Sequence, residues 1–186
     1  MKATELVFIL DKSGSMAGLE SDTIGGFNAM LQKQKALPGE CRITTVLFDN
    51  RYELLHDRID IRAVSPMTER EYQVGGSTAL LDAIGRTVRK LVSVQRNTAE
   101  AYRAEKVMFV IITDGAENAS REYSVQKVRA MIEHEKENYG WEFLFLGANM
   151  DAVETAGLFG IARDRAVDYV PDSAGTELNF QAMSET

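Results

Sequence analysis

The chain has 186 residues, of which 45% are hydrophobic and 26% charged, with a formal net charge of −7. That length suits a single domain with a sizeable core, and the acidic balance argues against a nucleic-acid or anionic-membrane surface. Cys41 is the only cysteine, which excludes an internal disulfide and a thiolate metal cluster and suits a reducing compartment.

The opening MKATELVFIL carries one lysine and a short apolar run, too short for a signal peptide or a membrane span. A cytoplasmic location is therefore expected. Glu5–Leu10 reads as a buried strand, and the next residues are DKSGSM. Ile24, Phe27 and Leu31 then recur at helical spacing from Asp22 onward, until Pro38-Gly39 stops the pattern. Arg42–Phe48 is rich in β-branched residues and predicts a strand. Asp49-Asn50 turns it back into Tyr52–Leu55 as an antiparallel hairpin.

Residues 56 to 76 are mixed and polar and read as a loop with a short strand or turn. After GGST, Leu80, Leu81, Ile84, Val88, Leu91 and Val92 form one face of a helix. Lys106–Thr113 is the most apolar run and predicts a central strand ending at Asp114-Gly115. Ser124 is placed to cap a helix that turns Val125, Val128 and Ile132 inward and closes at Gly140. Trp141–Leu146 predicts a strand, Ala152–Leu158 a short helix and Ala166–Val170 a weaker strand. One domain over 1–186 is expected, with a core of about 5–170 and a tail or terminal helix at 171–186.

Strands separated by helices imply an α/β fold with a mainly parallel sheet covered on both faces. Function in such a sheet gathers at the carboxyl ends of the strands, where strand order reverses. Asp11 and Asp114 both follow directly on the most strand-like runs. If the order is 3-2-1-4-5-6, they face each other across the switch point.

Asp11, Ser13, Ser15, Thr78 and Asp114 form an oxygen-only set with two charges. Zinc or copper normally asks for His or Cys, whereas this set suits a hard cation, Mg²⁺ first, with Mn²⁺ or Ca²⁺ as substitutes. Neutral hydroxyls bind such an ion without cancelling its charge, so it remains able to accept a carboxylate from another protein. Without metal the two aspartates repel, so Asp11→Ala is expected to abolish Mg²⁺ binding while leaving the metal-free fold unchanged or slightly more stable.

DKSGS, the threonine of GGST and the aspartate of ITDG resemble the metal-ion-dependent adhesion site of the von Willebrand factor type A family. The resemblance covers about residues 5 to 170 and points to the compact bacterial members. It implies a doubly wound, Rossmann-like sheet with one short antiparallel edge strand and helices on both faces. It also implies direct contact of Ser13, Ser15 and Thr78 with the ion, the aspartates acting directly or through water. A Glu or Asp from a partner protein would complete the coordination.

The function so implied is Mg²⁺-dependent protein binding without catalysis. One alternative is an accessory subunit docking on an ATP-driven machine, with no P-loop of its own. Another is a metal-assisted phosphatase or hydrolase, which would want a second carboxylate two residues after the first. Ser13 stands there instead. Glu117 and Asp151 read as solvated rim acids, and His56 and His134 take no role. Asn118-Ala119-Ser120 fits the glycosylation pattern by chance.

Overall fold

A computed structural model of the chain describes residues 3–114, 117–148 and 150–169. The first strand, β1 (Ala3–Asp11), and the second, β2 (Glu40–Phe48), are separated by helix α1 (Glu20–Lys35). Strand β3 (Tyr52–Asp60) returns antiparallel to β2 and forms one sheet edge. Helix α2 (Leu80–Arg96), strand β4 (Lys106–Thr113), helix α3 (Val125–Tyr139) and strand β5 (Glu142–Ala148) follow. Helix α4 (Ala152–Leu158) and strand β6 (Ala166–Tyr169) close the described part. The expected tail at 171–186 lies outside the described residues.

The sheet has six strands in the order β3-β2-β1-β4-β5-β6, and every pairing except β2 with β3 is parallel. The conditional order drawn from the sequence is therefore the observed one. Side chains alternate across the sheet. Leu6, Phe8 and Leu10 join Phe27, Met30 and Leu31 of α1 on one face. Val7 and Ile9 join Ile84 and Val88 of α2, Val128 and Ile132 of α3, and Ala152 of α4 on the other. Burial on both faces is what makes β1 and β4 read as unbroken apolar runs.

Segment 56–76 is the expected loop with a short strand and turn, but it is longer in strand and more buried than its polar composition suggests. Strand β3 runs nine residues to Asp60, and Ile61, Val64, Met67 and Tyr72 all enter the core beside α1. An edge strand is open to water on one side, so HDRID carries no apolar alternation to betray it. Register shifts interrupt the β2–β3 pairing near Thr45, and Arg58 takes a φ of 52°. From there its guanidinium meets the buried Glu5 carboxylate at 2.7 Å. The helix-end signals held: Ser124 accepts from Lys127 N–H at 3.1 Å, and Gly140 adopts the left-handed φ of 68°. Among the described residues no helix is long and apolar enough to cross a membrane.

Candidate metal centre

The parallel register sets Leu10 of β1 against Ile112 of β4. Asp11 thus stands level with Thr113, at the carboxyl edge where strand order reverses. Asp11 is fully buried, and its Oδ1 accepts from Ser13 N–H at 2.8 Å and from the Ser13 hydroxyl at 2.6 Å. This is the local turn that Asp and Ser favour at a strand end. The chain then makes a 3₁₀ turn at Gly14–Met16, bringing Ser15 Oγ to 3.2 Å from Ser13 Oγ. Asp11 Oδ2 accepts from the Thr113 hydroxyl at 2.7 Å, and the Tyr72 hydroxyl donates to the Asp11 main-chain carbonyl.

The GGST loop is fastened beside this turn. Gly75 N–H donates to Lys12 O and Gly14 N–H to Gly76 O, both at 2.9 Å. Gly76 sits at φ 82°, and a Cβ there would lie 2.6 Å from Asn50 Oδ1. Only glycine fits. Thr78 N–H donates to Asn118 Oδ1 at 2.9 Å, and its carbonyl accepts from Asn118 and Ala119 N–H at 3.0 Å. Those bonds use the Thr78 main chain. Its hydroxyl takes no hydrogen bond among the described residues, although the residue is only 2% exposed.

Asp114 follows Thr113 and is half-buried. Burial is the main reason the Asp11 carboxyl titrates above its usual range; the Ser13 and Thr113 bonds oppose it, and the nearby Asp114 charge adds to the rise. No Lys, Arg or His among the described residues pairs with Asp11. A buried carboxylate beside a second acid and without a cation is costly unless something positive is supplied. Lys12, the nearest in sequence, turns instead to Glu53 at 3.4 Å.

The donor chemistry fits a hard cation. Two oxygens on adjacent corners of an octahedron around Mg²⁺ are about 3 Å apart, and the serine hydroxyls are 3.2 Å apart. No group of three His, Cys, Asp or Glu suited to a metal occurs among the described residues. Any cation held here therefore depends on hydroxyls as well as acids.

The sequence did not flag the supporting residues. Glu117 is exposed, as a solvated rim acid would be, and it also has a structural part: its carboxylate accepts from Leu81 N–H at 2.8 Å, capping α2, and from Ala119 and Ser120 N–H. Asp82 returns the favour, accepting from the N–H groups of Arg121, Glu122 and Tyr123. Asp151 caps α4 through Glu154 N–H at 3.0 Å. A Glu before the helix it caps is a readable signal when the two adjoin; here 36 positions separate Glu117 from Leu81.

No protein-family model and no curated protein sequence matches the chain. Solved structures do. The von Willebrand factor type A protein from Catenulispora acidiphila superposes with a TM-score of 0.69 at 14% identity, over 98% of this chain and 42% of that one. The pilus adhesin SpaC from Lactobacillus rhamnosus GG, in its open conformation, gives 0.73 at 12% identity, over 100% and 30%. Manganese-loaded TRAP protein from Plasmodium vivax gives 0.61 at 21% identity, over 78% and 57%. This chain spans less than two thirds of the length of each of these. It has the von Willebrand factor type A fold.

Proposed function

We propose that this chain is a divalent-cation-dependent protein-binding module without catalysis of its own, folded as one domain. The observation that carries the reading is the buried, cation-free Asp11 carboxylate, bonded to Ser13 and crowded by Asp114 at the switch-point edge. Asp11, Ser13, Ser15, Thr78 and Asp114 are the residues that would hold the ion, with Mg²⁺ the first candidate and Mn²⁺ or Ca²⁺ alternatives. Bound there, the ion supplies an electrophilic position that a Glu or Asp side chain of a partner can fill. A manganese-loaded protein and a pilus adhesin of the same fold support this reading.

The chain's own residues prepare the place. The Ser13 N–H and the Thr113 hydroxyl aim the two Asp11 oxygens, and the Gly14–Gly76 bond fixes the second loop against the first. Neither histidine accompanies them. His56 binds the Thr45 hydroxyl at 2.8 Å on the β2–β3 edge, and His134 pairs with Glu135 on α3. This placement speaks against hydrolysis.

Calorimetric titration with MgCl₂, MnCl₂ and CaCl₂ tests the metal. The wild type should bind saturably, and Ser13→Ala and Thr78→Val should lose most of the affinity. Saturable binding by none of the three ions, or binding untouched by both variants, would overturn the proposal.

A further inference from the structure

A cavity of about 680 Å³ opens beside the oxygen cup, with Ser77, Ala79 and Asn118 in its wall. Ser77 and Ala79 flank Thr78 in the chain, and Asn118 holds the Thr78 N–H, so the cavity lies against the Thr78 loop, one residue from a candidate ligand. The hairpin tip at Asn50–Tyr52 and the first turns of α2 complete it.

Three arginines line this space, Arg51, Arg86 and Arg121, on a chain whose net charge is −7. Arg86 lies 5.1 Å over the Tyr52 ring, and the Tyr52 hydroxyl is bonded to Thr87 at 2.8 Å, so the cation is held in place. The acids nearby are largely engaged. Asp82 is taken up by three main-chain N–H groups, and Glu122 reaches only Arg86, at 3.8 Å. The Arg51 side chain is 78% exposed while touching Asp49 at 3.3 Å. Arg121 is exposed and forms no ion pair among the described residues.

We infer that this groove receives further carboxylates of the segment whose Glu or Asp reaches the metal centre. The partner segment is thus a run of acidic residues and not a lone acid. The inference rests on the metal-centred reading above. Guanidinium and carboxylate match in shape as well as charge. Pairs this exposed are individually weak and screened by salt. Two of them together tighten binding by about tenfold at low ionic strength.

Two synthetic peptides test it by NMR titration of the isotope-labelled chain, in Mg²⁺ and in EDTA. One is a seven-residue Gly-Ser peptide with a single central Glu; the other adds Asp at two positions on each side. The expected result is Mg²⁺-dependent binding of both, about tenfold tighter for the acidic run. In an Arg51→Gln, Arg86→Gln, Arg121→Gln triple variant that advantage should vanish while the single-Glu peptide binds as before. An advantage that survives in the variant overturns the groove and leaves the metal reading standing. An arginine-dependent advantage that is equally large in EDTA keeps the groove and overturns the metal reading. Binding of neither peptide overturns both.

Discussion

Replacing Asp11 by Asn and by Ala should move the metal-free protein in opposite directions. The Asp11 carboxylate accepts three hydrogen bonds, from Ser13 N–H, the Ser13 hydroxyl and the Thr113 hydroxyl. An Asn amide keeps them all, with Oδ1 facing Ser13 and Nδ2 donating to a Thr113 hydroxyl that turns to accept. The two bonds to Ser13 weaken by about 1 kcal/mol each when their acceptor loses its charge. Against that stands relief from burying a charge, a penalty of about several kcal/mol per ion, and from repulsion by Asp114. Burial is the larger effect at Asp11, as the upward direction of its titration shows. Asp11→Asn should therefore gain about 1 kcal/mol without metal, a rise of about 2–4 °C in melting temperature for a chain of this size. Asp11→Ala strands the Ser13 N–H at about 1–3 kcal/mol, removes the carboxylate partner of the Thr113 hydroxyl, and should melt lower. The sequence-based expectation that Asp11→Ala leaves the metal-free fold unchanged or slightly more stable weighed the repulsion from Asp114 alone and not these hydrogen bonds. Mg²⁺ at a hundred times its dissociation constant adds about 2.7 kcal/mol to the wild type, or about 5–11 °C. Neither variant should show that rise. Calorimetric melts in EDTA and in Mg²⁺ decide the matter. An Asn variant that melts as low as the Ala variant in EDTA would make Asp11 a structural acid and refute the argument.

Gly85→Ala should lower the urea midpoint: its Cβ would lie 2.4 Å from the buried Tyr123 ring, and about 1–3 kcal/mol of overpacking exceeds the helix-propensity gain of about 1 kcal/mol. A raised midpoint would show that Tyr123 moves aside freely. Burial holds His56 below the usual imidazole range, with Glu71 opposing, so its contribution to stability is full above about pH 6.5 and lost as pH falls through the folded value. Unfolding in urea at pH 7, 6 and 5 should show a shallower decline in His56→Asn than in the wild type. Burial, with Glu5 and Asp60 adding, lifts the Cys41 thiol from 9.0 to about 11, so iodoacetamide at pH 8 should modify the folded chain about 100-fold more slowly than the urea-unfolded chain. Equal rates would mean the thiol is not held in that environment.

Two of the candidate ligand positions, Asp11 and Asp114, were legible because each follows an abrupt change of character. Leu10 to Asp11 and Thr113 to Asp114 pass from a doubly buried strand to an acid in one step. The supporting residues show no such change. Thr113 bonds Asp11 across 102 positions and Tyr72 does so across 61, and only the folded sheet brings them together. Residues 61–72 form the expected loop and turn, but their burial was not legible for a related reason. Ile61, Val64, Met67 and Tyr72 enter the core from irregular backbone, where no helical or strand period marks them.

That irregular segment bears on how the site holds its shape. Each hydroxyl-bearing loop is followed closely by a buried apolar anchor, Met16 directly after Ser15 and Leu80 two residues after Thr78. The two anchors lie in opposite layers, Met16 with α1 and Tyr72, Leu80 with α2 and Phe48. The Gly14–Gly76 and Gly75–Lys12 bonds then join the loops across the top of the sheet. A ligand entering such a place meets loops already ordered by the fold, so less of its binding free energy goes to arranging them. The same bracing carries strain from either layer to the oxygen cup. A defect under Tyr72 or behind Leu80 should therefore weaken ion binding without altering any oxygen that touches the ion.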